Sequence, residues 1–586
     1  MPGTPWRARL AVLGATTAIL VAACGGAASP TPAPPATAAP TAAPPTAAPP
    51  TAAPFVGLSY PTAAEVDCAA KTYNGKDYSG NFKKISATDA KTVVFELCSP
   101  DVAFLSKIAF SSFAIQDADW LTKAVGDKTV LLRQPNGTGP YQVKEWKAGD
   151  SIIYSAFDKY WGDAALTPNA VLKWSTEAAQ RLVELQSGNT DGIDNPGTDD
   201  FAAIEGDTTL KLYPRAGLNV MYIGTNNTAK PFDNDKVRQA IAMGIDRERI
   251  VKNFYPAGST VASHFTPCAI EFGCEGEDWY AFDVAKAKAL LTEAGFPDGF
   301  KTTISYRDVS RGYVSDQNVV AQDLQQQLKN NLNIEATIDV QESGTFLANS
   351  DAGNLKGLYI LGWGADYPDP TNFLDYHFGA GATKQFGTKW DDITSALATG
   401  ASSADPAVRE KAYADANNAI RTHVPMIPIA NGASATAFKA DVEGAHSSPL
   451  GNENLSVMKP TGRDTVVFTQ NAEPISLYCA DESDGESLRA CEQVTQSLYG
   501  YKTAGVEVEP VLATACVANP DGTIWTCTLR DGVTFQDGAT LDANDVVTTF
   551  AAQWDAENPL HVGNTGAFSY FSGFFGGFHN PPPAAP

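Results

Sequence analysis

A mixed α/β protein of two or three domains is what this sequence predicts, and three observations carry that expectation. Short β-branched and aromatic runs read as strands: KTVVFEL (91–97), NVMYIGT (219–225), TTISY (302–306) and IEATIDV (334–340). Stretches with helical spacing and capping residues alternate with them. The body from about 55 to 580 is long enough to bury more than one core.

The chain opens on residues that such a core does not use. Arg7 and Arg9 precede an apolar run, Leu10 to Ala23, too short to remain as a membrane span. It ends in Leu-Val-Ala-Ala-Cys, which resembles a bacterial lipoprotein signal whose cysteine, here Cys24, becomes the lipidated first residue. Residues 25–54 contain only Gly, Ala, Ser, Pro and Thr, apart from nothing that a core needs, and read as an extended, disordered linker. At about 3.1 Å per residue it would hold a domain well away from a membrane. The last residues, 581–586, read as a tail.

Eight further cysteines fit an exported protein with disulfides: Cys68, Cys98, Cys268, Cys274, Cys479, Cys491, Cys516 and Cys527. Sequence leaves the pairing open, but local pairs are plausible. Cys516 and Cys527 flank NPDGT, where a two-residue Asp521-Gly522 loop would set them almost opposite each other, and Cys268 and Cys274 bracket a short loop. A metal site is not indicated, because there is no CxxC pair and the six histidines are scattered. A net charge of −24 argues against nucleic-acid binding and favours, weakly, cationic ligands. The aromatic run FSYFSGFFGGF (568–578) is short and broken by glycine, so it reads as a docked chain end.

Within the body, Asp233 can cap a helix bearing Val237, Ile241, Ile245 and Ile250. Asp283 can cap AKAKALLTEA, which Gly295 stops. Asp405-Pro406 opens another helix, with proline at its first position. The run LKGLYIL reads as a buried strand that ends in GWGADYPDPTNF (362–373). The acids there have two readings. Asp366 and Asp369 cap turns, or a carboxylate beside the Trp363 indole receives a ligand's positive charge.

A family resemblance bears on that choice. PNGTGPYQVKEWKAGD (135–150), DKYWGD (158–163), QRLVELQSGNTDGID (180–194), YIGTNNTAKPFDNDKVRQAIAMGIDRERIV (222–251), AKAKALLTEAGFPDG (285–299) and LGWGADYPDPTNF are similar, in order, to segments of the solute-binding proteins of peptide/nickel-type ABC importers, solute-binding protein family 5. The resemblance implies a two-lobed periplasmic-binding-protein-like fold (type II, cluster C) with an extra small domain. That family's opening pieces lie here at the far end, as DTVVFTQNAEPISLYC (464–479) and GTIWTCTLRDGVTFQDGATLDANDVVTTF (522–550), so the chain looks circularly permuted. The old ends would join near 455–463, and the new ends, near 55 and 580, would meet in the small domain. The hairpin at 522–533 is then expected to pack with the strand at 91–97. The expected parts are 55–146 plus 502–580 (small domain), 147–245 plus 441–501 (lobe I) and 246–440 (lobe II).

The resemblance also implies roles. Asp366, three residues after Trp363, would receive a peptide's α-ammonium, and the backbone of Gly362, Trp363, Gly364 and Ala365 would pair with an extended ligand. Asp369 is left with the turn. Arg311, with Tyr313 in an Arg-Gly-Tyr segment, would take the ligand carboxylate, and Arg307 is the nearby alternative. From the other lobe, Glu473 and Ser476 of Glu-Pro-Ile-Ser would face the cleft, whereas Trp146, Tyr160 and Trp161 read as packing and Asn136 to Tyr141 as a structural turn.

The function implied is a lipid-anchored, extracytoplasmic, monomeric receptor without cofactor. It would deliver short peptides to the permease and ATPase subunits of an ABC importer. Another small solute such as a sugar or a nickel chelate, the latter disfavoured because no histidine cluster appears although His377 lies shortly after Asp366, or a sensor or adhesin role, are the alternatives. An enzyme is not indicated, since no nucleophile elbow, HExxH or P-loop is present.

Overall fold

The computed structural model describes residues 54–62, 65–307, 311–314 and 316–580. The signal segment with Cys24, the linker up to residue 53 and the tail 581–586 lie outside the described residues. Three main sheets organise the rest.

A five-stranded antiparallel sheet runs in the order Ser59–Tyr60, Phe82–Asp89, Thr92–Leu97, Ile524–Leu529, Ala513–Ala518. The hairpin near the C-terminal end therefore pairs with the strand near the N-terminal end, Cys527 opposite Val93, as anticipated. The two ends of the described residues also meet: Asn81 N–H donates to Phe575 O, and the Tyr60 and His579 rings lie 5.7 Å apart. The aromatic segment is docked, as Ser569–Phe575 forms a helix burying Phe571, Phe574 and Phe575.

A seven-stranded sheet has the order Leu210–Arg215, Ser434–Lys439, Gly192–Asp194, Thr465–Gln470, Asn169–Trp174, Ser151–Ala156, Tyr141–Lys147. A six-stranded sheet has the order Thr260–Val261, Met426–Asn431, Asn219–Gly224, Leu358–Gly364, Lys301–Arg307, Glu335–Gln341. The first two sheets share one apolar core and the third has its own. This is a two-lobed arrangement with a small domain joined to one lobe.

The chain passes between the large sheets twice, at residues 216–218 and 432–433. After the first crossing the helix Asp235–Gly244 turns Val237 and Ile241 into the six-stranded core. One residue ties the crossings together. The Asn219 side chain accepts from Gly432 N–H and donates to Gly432 O, both at 2.8 Å, and Asn431 Nδ2 donates to Asn219 O at 2.7 Å. A Cβ on Gly217 would meet Gly432 O at 2.5 Å, so this approach needs glycine.

Local chemistry mostly follows the sequence. Asp283 and Asp405 cap their helices, the latter before Pro406. The cap expected at Asp233 is instead Asn234, whose side chain accepts from Lys236 N–H, and a second cap, Asp246, splits the expected long helix in two. All four cysteine pairs are local: Cys68–Cys98, Cys268–Cys274, Cys479–Cys491 and Cys516–Cys527. Cys516 and Cys527 are direct ladder partners, but the loop between their strands is longer than two residues. Asn519 N–H already closes on Ile524 O, and the Asp521 carboxylate accepts from Thr523 N–H, which leaves Pro520 to Thr523 as the loop. At Gly137 the backbone packs closely on another segment, where a Cβ would overlap Val494 O.

Candidate functional site

The strand Leu358–Gly364 supplies the floor of the site. Its first five residues are buried apolar side chains and glycine, which hold it in the sheet core. On one edge it pairs along its whole length with Asn219–Gly224, from Gly224 opposite Tyr359 to Asn219 opposite Gly364. On the other edge its ladder to Lys301–Arg307 covers Leu358 and Tyr359 alone among the described residues. Ile360, Leu361 and Gly362 are buried, Tyr313 packs on Gly362, and Trp363 and Gly364 are the strand's partly or fully exposed residues.

The turn after the strand places Asp366. Asn372 clasps it from both sides: its Oδ1 accepts from Asp366 N–H (3.0 Å) and from Trp363 Nε1 (3.2 Å), and its Nδ2 donates to Asp366 Oδ2 (3.0 Å). The other carboxylate oxygen accepts from the Tyr570 hydroxyl at 3.2 Å. Burial pushes the Asp366 carboxyl up to about 6, against the hydrogen bonds from Asn372 and Tyr570, which favour its charged form. Trp363 stacks on Tyr376 with ring centroids 4.2 Å apart. Asp369 takes the structural part expected of it, its Oδ1 accepting from Thr371 N–H and Oγ1.

Tyr570 belongs to the docked C-terminal helix, whose apolar face lies in the core of the other lobe. Tyr367, next to Asp366, also enters that core and meets the Phe574 ring edge-on at 4.8 Å. The acidic turn of one lobe is thus covered by aromatics of the other.

The remaining expected residues are spread out. Tyr313 is buried on Gly362, where a Cβ would come within 2.3 Å of its ring. Its hydroxyl accepts from Arg307 Nη2 at 3.1 Å. Arg311 is exposed on a small turn whose backbone closes on Val314. Arg307 is buried, also reaches Ser343 Oγ, and keeps its Nε without a partner. Glu473 is engaged within its own lobe, accepting from Trp146 Nε1 at 3.1 Å and from Gly149 N–H. Ser476 is fully buried, donating to Glu482 and accepting from Tyr478 N–H. His377 donates through Nδ1 to Phe373 O at 2.7 Å within a ring cluster, and burial pushes it down to about 4. His264, Cys268 and Cys274 lie close together, but the two sulfurs are bonded to each other.

Sequence reasoning missed Asn372, Tyr570 and the burial of Arg307. Asn372 sits inside the quoted motif, so its clasp was within reach. Tyr570 lies 204 residues away, and no spacing rule links it to Asp366.

Residues 37–385 and 507–569 match the profile of the bacterial extracellular solute-binding proteins, family 5, middle region. The chain belongs to this family. It is similar to the dipeptide-binding protein of Escherichia coli K12, 30% identical over 388 residues, 64% of this chain and 71% of the relative. Two solved structures agree in fold. HbpA2 of Haemophilus parasuis superposes with a TM-score of 0.60 at 27% identity, covering 65% of this chain and 76% of that one. The dipeptide-binding protein of Pseudoalteromonas sp. SM9913, in complex with Met-Leu, gives 0.54 at 25% identity, covering 65% and 74%. Family 5 proteins are extracytoplasmic solute-binding components of ABC importers. No helix among the described residues is long and apolar enough to cross a membrane.

Proposed function

We propose that this chain captures short peptides by their free amine end and delivers them to an ABC permease, tethered to the membrane through a lipid on Cys24. The carrying observation is Asp366. It is an enclosed carboxylate, fixed by Asn372, at the end of a strand whose ladder to Lys301–Arg307 stops at Tyr359 among the described residues. A ligand ammonium would form a charge-assisted hydrogen bond there. Arg311 is the proposed partner for the ligand carboxylate, with the buried Arg307 guanidinium as second candidate. Closure would turn on the paired crossings at 216–218 and 432–433 that Asn219 ties together. Names of the relatives support peptides as the solute class.

We also propose that the chain order is circularly permuted. The pairing of Ile524–Leu529 with Thr92–Leu97, and the contact of Tyr60 with His579 near the two ends of the described residues, support this reading.

Native mass spectrometry of the protein purified without unfolding tests the solute. A heterogeneous set of co-purifying short peptides, released by Asp366→Asn, is the expected result. A single sugar or metal-chelate mass would overturn the peptide reading while leaving the transport role.

A further inference from the structure

A second layer of side chains stands behind the receptor turn. Asp369, three residues after Asp366, is buried, and its Oδ2 accepts from Arg409 Nη2 at 2.7 Å. Arg409 comes from a different element, the helix Pro406–His423. Its guanidinium is fixed on several sides. It lies 5.1 Å from the Phe272 ring and 5.3 Å from the Tyr413 ring. It donates through Nε to Gly400 O, and Nη2 also reaches the Tyr413 hydroxyl.

Phe272 is in turn held by the loop that the Cys268–Cys274 disulfide closes. It has a φ of 61°, a left-handed conformation uncommon for a bulky residue. The neighbouring Gly273 could not carry a Cβ, which would meet Pro267 O at 2.6 Å. Asn417 Nδ2, from the same helix as Arg409, donates to Glu275 O at 2.9 Å and so ties the loop to that helix.

We propose that Arg409 is a positioning residue for the receptor carboxylate, seated by the disulfide-closed Phe272 loop. This rests on the reading of Asp366 as the amine receptor. The path is short and polar. Arg409 fixes Asp369, Asp369 O accepts from Asn372 N–H at 3.0 Å, and Asn372 clasps Asp366 and Trp363. A buried carboxylate that loses its cation must find water or a new partner. Sites of this kind depend on the shell that holds the contacting groups in place.

The test uses the full chain with Arg409→Met, Arg409→Lys and Phe272→Leu, read in two ways. Hydrogen exchange of the free protein is measured over 365–372, with the strand Asn169–Trp174 as reference. Calorimetry measures affinity for Met-Leu and for N-acetyl-Met-Leu. Arg409→Met is expected to speed exchange over 365–372 at least tenfold, leave the reference unchanged, and weaken Met-Leu binding tenfold or more. Arg409→Lys, which keeps the charge, is expected to recover at least half of the lost protection. Unchanged exchange over 365–372 in a folded Arg409→Met protein would overturn the proposal. Should that variant fail to fold, Phe272→Leu decides in the same way, with protection over 365–372 retained counting against it. If the wild type binds Met-Leu and its acetylated form equally, the amine-receptor reading fails, and the exchange result then judges the positioning claim by itself.

Discussion

The Tyr570 hydroxyl donates to Asp366 Oδ1 across 3.2 Å, from the core of one lobe to the acidic turn of the other. The contact gives the carboxylate a neutral partner that a ligand ammonium can join or displace. It also keeps the acid from facing an entirely apolar neighbour, which would protonate it.

The first prediction concerns Asp366 itself. With the free carboxyl near 6, it is largely ionised at pH 7. Affinity for an amine-ended dipeptide should therefore be greatest between about pH 7 and the ligand amine's own pKa of about 8, and fall roughly tenfold per unit below 6. Stability of the free protein has the opposite sign. The folded state holds this proton more tightly than the unfolded state, so this group favours folding as pH falls from 6 towards its ordinary value. Asp366→Asn should lower affinity by roughly 10- to 100-fold, the worth of a charged hydrogen bond, and abolish the pH dependence. Calorimetry between pH 5 and 8 reads both.

Tyr570→Phe makes a separable prediction. The variant loses a donor that favours the ionised form of Asp366. The pH midpoint for ligand binding should move upward, by roughly one unit at most. Affinity at pH 8, where the carboxyl is charged in both proteins, should change little. A midpoint that stays put or moves down would show that Tyr570 does not touch the ionised acid in solution.

The contrast between these residues shows where legibility stopped. Strand periodicity and strong caps identified Thr92–Leu97, Asn219–Gly224, Lys301–Arg307, Glu335–Gln341 and the helix after Asp405, because each depends on neighbours within a few residues. Trp363 and Asp366 were visible because a motif quotes them together. Adjacent polar residues such as Asp233 and Asn234 compete for one cap, and packing decides between them. Glu473 and Ser476 make hydrogen bonds inside their own lobe, to Trp146 and Glu482. Whether a polar side chain faces ligand or scaffold depends on partners hundreds of residues away, and no local pattern encodes that.

A third prediction tests the lobe beside the crossings. Four buried charges form a closed ring there. Arg215 bonds Asp194 and Glu453, and Arg489 bonds the other oxygens of the same two acids, at 2.8 Å each. Burial alone would raise the Glu453 carboxyl, but Arg215 and Arg489 together outweigh it and hold it well below the usual range. Its contribution is therefore present above the ordinary carboxylate value and is lost as pH falls below it. Glu453→Gln leaves two guanidiniums under-compensated and should cost about 3–5 kcal/mol. Urea unfolding at pH 7 measures that loss, and a penalty below about 1 kcal/mol would contradict it.

The last prediction separates two glycines of the receptor strand. A Cβ on Gly362 would lie 2.3 Å from the Tyr313 ring, which is itself held by Arg307 and, through its carbonyl, by the Tyr255 hydroxyl. A Cβ on Gly364 would meet nothing within 4 Å. Gly362→Ala should therefore cost about 1–3 kcal/mol, the range for an overpacked core, and lower the Tm, because the ring has no free direction to yield. Gly364→Ala should stay within about 0.5 kcal/mol of the parent. Its backbone edge is unchanged, so peptide affinity should survive unless the ligand lies against that face. A large loss of affinity in a stable Gly364→Ala protein would place the ligand chain directly over Gly364, and equal Tm losses in both variants would mean that the Tyr313 contact does not constrain the strand.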